Sequence, residues 1–334
     1  MIKKSIFQII KENKVMFAKA KNHTYSIPLD NVALSIQNLN VFFKQGFFRH
    51  KQVLNNISFE VKKGEFHGFI GNNGAGKTTT IRSILGFYPN AIGKIYINGI
   101  DSKSSKSKIK IGYVPEVAIF PKTLSAREYL HTFGLMSGIK KKNLDKRINE
   151  IIEKYNFNLP ELNKSPEFMS SGQKKTILLI QALINDPELI IMDEPAANLD
   201  PSSRVVLYKT LKQLHNEGKT IFISSHILDE LEKYIDSFTL LSQGNILYSG
   251  SMHNAVDEKF NTQIILSSYD EITLFLTVNN IEYEIKNNTL FVQLDKNQKK
   301  ELLARLNKLN IEIFLLKENK DSILNKWFEG NKEL

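Results

Sequence analysis

Between residues 32 and 250 the chain alternates short apolar, β-rich runs with stretches in which apolar residues recur at helical spacing. The runs at 66–70, 111–114, 189–192, 220–224 and 238–241 are separated by such helical segments, a pattern that predicts a largely parallel sheet with helices packed on it. The earlier stretches 33–43, 53–61 and 94–98 are strand-like with turn residues nearby and predict an antiparallel flank. After Gly250 the register changes: 262–267, 282–286, 289–294 and 311–316 read as strands, and 270–278 and 297–309 as helices. That order, β-α-β-β-α-β, predicts a small α+β ferredoxin-like sandwich, closed by a last helix through Ile323, Leu324, Trp327 and Phe328. The expected class is α/β, with domains at 32–250 and 251–334 behind an N-terminal extension at 1–31.

Composition narrows the chemistry. A chain of 334 residues with 42% hydrophobic and 24% charged positions has the material for one large globular domain and a smaller one. It contains no cysteine, so disulfides, thiolate metal sites and cysteine nucleophiles are excluded, leaving oxygen, nitrogen and a hard metal. No apolar run approaches the ~20 residues of a membrane-crossing helix. In the extension, Lys3, Lys4, Lys11, Lys14, Lys19 and Lys21 alternate with Ile2, Ile6, Phe7, Ile10 and Phe17. This reads either as a basic amphipathic helix lying on an anionic membrane surface or as a locally packed terminus, and it is too interrupted for a secretory signal. The formal charge of +10 comes from 39 lysines and six arginines scattered along the whole chain. That scatter is a compositional bias rather than a polyanion groove, and argues against a nucleic-acid partner.

Three segments carry the candidate chemistry. Gly71, Asn72, Asn73, Gly74, Ala75, Gly76, Lys77 and Thr78 satisfy the eight-position phosphate-loop pattern, between the apolar run ending at Ile70 and the helical stretch 79–85. Glycines let backbone N–H groups turn inward around nucleotide phosphates, Lys77 would hold the β- and γ-phosphates, and Thr78 would offer a hydroxyl to magnesium. The run 189–192 ends in Asp193 and Glu194, where the first carboxylate can orient a magnesium shell and the second can polarise an attacking water. Upstream, Met169, Ser170, Ser171, Gly172 and Gln173 open a long helix, and a serine with a glycine at a helix start makes an anion site.

Taken in order, GNNGAGKT, MSSGQKK, LIIMDEP, ANLDP and the histidine of ISSHILDE resemble the nucleotide-binding subunit of an ATP-binding cassette (ABC) transporter over about residues 32–250. The resemblance implies a P-loop NTPase core with a helical subdomain near 117–168, ATP and magnesium as cofactors, and two copies closing head to tail around the nucleotides. It implies that Gly71 to Thr79, Thr79 included, form the Walker A loop, that Asp193 serves the magnesium ion and that Glu194 is the general base. It also implies that Ser170, Gly172 and Gln173 belong to the signature facing the partner's γ-phosphate, that His226 is the switch histidine, and that Asp200 lies in the loop joining the two sites. Phe43 matches the aromatic that stacks on adenine, with Phe42 in its place if the register slips by one. Glu116 stands where most importers have glutamine, and Ser171 replaces a glycine of the signature; a carboxylate at 116 can still serve the magnesium shell. Glu116, the FPKTLSAREYL segment and the ending SILNKWFEG resemble the drug- and antibiotic-export branch.

The implied partners are a second nucleotide-binding subunit, identical or not, and a separate transmembrane permease, which places the chain peripherally at the cytoplasmic face of a membrane. The competing reading is a soluble ABC ATPase acting on ribosomes or DNA. Against it stand the single cassette and the absence of long coiled coils and cysteine-rich modules.

Overall fold

In the computed structural model the apolar runs of the first unit become two sheets, and the later strand-helix pattern becomes a third. The structure describes residues 15, 17, 18, 20, 23–45, 49–159, 162–226, 228–251, 260 and 262–318, and separates into two compact units, Met1–Ile246 and Leu247–Leu334. The amphipathic reading of 1–21 falls almost entirely outside the described residues, and the closing helix through Trp327 lies wholly outside them.

The flank begins with β1 (Val32–Gln45) and β2 (Arg49–Lys62), which pair antiparallel from Val32 opposite Lys62 to Gln45 opposite Arg49. Both are longer than their apolar runs because the polar arms beyond Phe43 and before Val53 pair with each other. After β3 (Phe66–Ile70) and α1 (Lys77–Ile84), the short strands β4 (Ile92–Ile97) and β5 (Ile100–Asp101) complete a sheet of order β2-β1-β4-β5.

The central sheet takes β3, β6 (Ile111–Val114), β7 (Leu189–Met192), β8 (Thr220–Ser225), β9 (Ser237–Ser242) and β10 (Asn245–Ser251), in the order β10-β9-β3-β8-β7-β6. Every residue of β3, β7 and β8 is buried, as expected of parallel strands covered on both faces. Parallel pairing of β3 with β8, β8 with β7 and β7 with β6 brings the ends of these strands to one rim, where ligands bind in open α/β sheets. Between β6 and β7 lie α2 (Ala126–Met136), α3 (Lys141–Lys154) and α4 (Ser171–Leu183). The helix α5 (Pro201–Asn216) follows β7, and the single turn α6 (Leu228–Leu231) follows β8. The core joins both sheets through Phe59, Phe69, Phe222, Ile191 and Ile81.

The second unit runs β11 (Thr262–Leu266), α7 (Asp270–Val278), β12 (Tyr283–Lys286), β13 (Thr289–Val292), α8 (Lys296–Lys308) and β14 (Ile313–Glu318). Its sheet has the order β12-β13-β11-β14 with every pair antiparallel, and its core unites Ile264, Leu266, Leu290 and Val292 with Ile272, Leu276, Leu302 and Leu306 from the two helices. Asp295 caps α8 by accepting from the amides of Asn297 and Gln298.

Candidate functional site

A cleft of about 400 Å³ opens at the rim of the central sheet, lined by Asn73, Gly74, Gly76, Lys77, Thr78 and Thr79 from the glycine loop and α1, by Glu116, Glu194, Ala197 and Asn198, by His226, and by Val53 of β2. The helix α1 starts at Gly76 with φ 115°, in the left-handed region, and a Cβ there would stand 2.6 Å from Leu54 Cδ2, so only glycine fits. No side chain caps α1, whereas Ser125, Ser170 and Asp200 cap α2, α4 and α5. The first-turn amides of α1 are therefore left to an anion, which the helix dipole also favours.

Lys77 is buried at 6% exposure and its ammonium donates to the carbonyls of Gly71 at 2.6 Å and Asn72 at 3.2 Å. It also stands 3.0 Å from Glu194 Oε1, an ion pair in which that oxygen accepts no hydrogen bond. On the other carboxylate oxygen, Glu194 Oε2 lies 2.9 Å from His226 Nδ1. Lys77, Glu194 and His226 thus form one polar chain across the cleft. Glu194 itself sits at φ 43°, a conformation a non-glycine residue rarely adopts, and its amide donates to Ser224 Oγ at 2.9 Å. The same hydroxyl donates to Asp193 Oδ1 at 2.8 Å.

Ser224, which joins Asp193 to Glu194, is one residue of the candidate site that sequence reasoning missed. A serine near the end of an apolar strand carries no signal by type. The parallel register that places Ile223 beside Met192 carries the next residue, Ser224, up to Asp193.

The sequence-selected residues divide between two places. Ser170, Gly172 and Gln173 line a separate cavity of about 260 Å³ together with Leu199, Ser202 and Ser203, and do not line the glycine-loop cleft. Ser170 heads α4 in a capping box, its hydroxyl accepting from the Gln173 amide while Gln173 Oε1 accepts from the Ser170 amide. Asp200 heads α5, accepting from the Ser203 amide and from the hydroxyls of Ser202 and Ser203; these hydrogen bonds hold its carboxyl well below the usual range.

Phe43 is not brought to the cleft: its ring stands edge-on to Tyr88 at 5.3 Å, and Phe42 packs on Phe17 at 4.6 Å. The β1–β2 register shifts between Val41 and Phe42, and it is Val53 that reaches the cleft wall. Glu116 and Thr78 do line the cleft, Glu116 as an exposed residue on the loop after β6. A second missed residue lies beneath that loop. Lys175 of α4 is buried, its ammonium pushed down to about 8 by burial against an upward pull from the Glu116 and Asp193 carboxylates.

The family model described as ABC transporter matches residues 54–197. A putative ABC transporter ATP-binding protein of Mycoplasma pneumoniae is 41% identical over 80% of this chain and 81% of its own length. The linearmycin resistance ATP-binding protein LnrL of Bacillus subtilis is 40% identical over 60% of this chain and 65% of its length. Among solved structures, an ATP-binding subunit of an ABC transporter superposes with a TM-score of 0.58 at 28% identity, over 67% of this chain and 91% of that one.

Proposed function

The chain belongs to the ABC transporter family as one of its ATP-binding ATPase cassettes, and from that premise we propose that it binds magnesium-ATP, pairs with a second cassette and drives a separately encoded permease, in the direction of export. The observation that carries this reading is the Lys77, Glu194 and His226 chain across the glycine-loop cleft, with the Ser170 helix start on a different cavity of the same molecule.

In this reading the amides of the Gly71 to Thr79 loop and of α1 bind the phosphates, and Lys77 leaves Glu194 to neutralise them. Released from Lys77, Glu194 Oε1 accepts the proton of an attacking water, and His226 holds the opposite oxygen so that the carboxylate keeps its aim. The oxygen set of Thr78, Glu116 and Asp193 fits a hard divalent cation, and among the described residues no cluster of His, Asp and Glu would hold a metal alone. Binding of the ion therefore depends on the nucleotide; once bound, it supplies neutralising charge to the phosphates.

Ser170, Gly172 and Gln173 cap the nucleotide of the opposing cassette, and Asp200 links the two sites. Adenine binds against the Val53 wall of the cleft, with Phe43 outside it. The cassette spans 32–250, and the unit at 251–334, whose strand order supports a ferredoxin-like assignment, mediates dimer contacts or regulation. Among the described residues no helix is long and apolar enough to cross a membrane. A peripheral position at the cytoplasmic face beside a spanning partner is part of the same proposal, supported by the ABC transporter ATP-binding relatives. Export is supported by the resistance function in the name of the Bacillus relative.

Glu194→Gln tests the reading. It should slow ATP hydrolysis by about 100-fold or more while ATP binding persists and nucleotide-locked dimers accumulate on size-exclusion chromatography. Turnover within a few fold of the wild-type rate would remove Glu194 from the role of base.

A further inference from the structure

Among the described residues, four Lys, Arg, Asp or Glu side chains are buried: Lys77, Lys175, Asp193 and Glu194. Lys77 and Glu194 line the cleft already described, and Asp193 is joined to it through Ser224. Lys175 does not line that cleft; it lines the cavity beside Ser170 and Gly172, and its ammonium reaches out of α4 to the loop that follows β6. There it donates to the carbonyls of Pro115 at 3.0 Å and Glu116 at 2.9 Å, and no carboxylate among the described residues pairs with it. These are the only hydrogen bonds described for either residue; proline has no N–H of its own to give, and no backbone bond beyond helix and strand pairing involves 115–120.

A buried ammonium held by two neutral carbonyls contributes little stability, because its desolvation cost outweighs two such bonds and a methionine of similar length would fill the space without that cost. What the arrangement does supply is a fixed connection. One end is the helix whose first turn carries Ser170 and Gly172. The other is the peptide that carries the Glu116 carboxylate to the cleft.

We propose that Lys175 is a positioning residue that clamps the Glu116 loop to α4, so that the magnesium carboxylate of one ATP site is placed by the same helix that caps the ATP of the other. The inference rests on the dimeric reading above and deepens it. It makes Lys175 a point at which the two sites communicate, without Lys175 touching either nucleotide.

The first test needs neither nucleotide nor metal. In limited proteolysis of the full chain with thermolysin, which cuts before exposed apolar residues such as Val117 and Ile119, Lys175→Met should speed cleavage within 116–120 by about fivefold, and Lys175→Arg, which keeps the donors, should restore the wild-type rate. The second is a magnesium titration of ATP hydrolysis. Lys175→Met should raise the half-saturating magnesium concentration by about tenfold, the scale of a lost supporting contact to a metal ligand, and should add nothing further when combined with Glu116→Ala. Should Lys175→Met prove poorly folded, Lys175→Gln, which retains a donor, is expected to show the same shifts at smaller size.

Unchanged cleavage within 116–120, or effects of Lys175→Met and Glu116→Ala that multiply, would overturn the clamp while leaving the ATPase reading intact. A wild-type chain with no magnesium-dependent hydrolysis would instead overturn the functional reading, whatever the cleavage data show.

Discussion

Placing an imidazole in the middle of β3 obliges the fold to keep it neutral. His67 is 1% exposed, its nitrogens lie 2.7 Å from Ser237 Oγ and 2.9 Å from Thr239 Oγ1, and its ring lies nearly parallel to those of Phe59 and Phe222, the three centroids 5.7 to 5.9 Å apart in a triangle. Burial lowers its pKa to about 3. The unfolded chain takes up this proton near pH 6.5 and the native chain only near 3, so the stability is complete above 6.5. It declines by about 1.4 kcal/mol per pH unit as the pH falls between those values. Denaturant melts at pH 7 and pH 5 should therefore show the wild type losing roughly 2 kcal/mol more than His67→Gln, and equal losses in the two proteins would clear His67 of responsibility. At this scale the sequence exposed the residues whose type and spacing announce their chemistry: Lys77, Asp193, Glu194 and His226. It hid Ser224 and Lys175, because a hydroxyl and an ammonium become meaningful only through what a neighbouring strand or loop presents to them. That Phe43 does not line the cleft was hidden for a related reason: an aromatic in a strand can face either side, and a register shift decides which.

The starts of α4 and α5 meet at one contact. A Cβ on Gly172 would come within 2.4 Å of Ser203 Oγ and 3.1 Å of its Cβ, and that hydroxyl is committed to Asp200 Oδ2 at 2.7 Å. Gly172→Ala should force Ser203 off the Asp200 carboxylate and destabilise the protein by about 1–3 kcal/mol, and Ser203→Gly in the same chain should recover part of the loss. Thermal melts of the two single variants and the double variant read this directly; purely additive losses would mean the two helix starts are independent. Helix starts were legible because serine, glycine and aspartate mark them by composition. The strand β10 was not, since Asn245, Ser249, Gly250 and Ser251 weaken the β signal and the sheet, not the sequence, makes the strand. The short β5 escaped notice in the same way, being two residues long.

Across the whole molecule the alternation of strands and helices revealed the layers, but the order β10-β9-β3-β8-β7-β6 is set by which apolar faces meet, and no local pattern encodes that. The same limit applied to the site. The motifs identified two groups of residues, and only the fold shows that one chain puts them on separate cavities. A single copy so arranged cannot cap its own nucleotide, and ATPase activity per molecule should climb with protein concentration before levelling off once dimers predominate. A rate per molecule that is flat across the range in which ultracentrifugation detects only monomer would contradict the paired arrangement.

The Ser224 hydroxyl has one proton, given to Asp193, and a lone pair that receives the Glu194 amide. In the proposed mechanism, cation anchor and proton acceptor are thereby geared to the same tooth. A distortion that slides β8 against β7 would disengage both together, so that a cassette working in the proposed pair would fall idle as a unit instead of hydrolysing out of step.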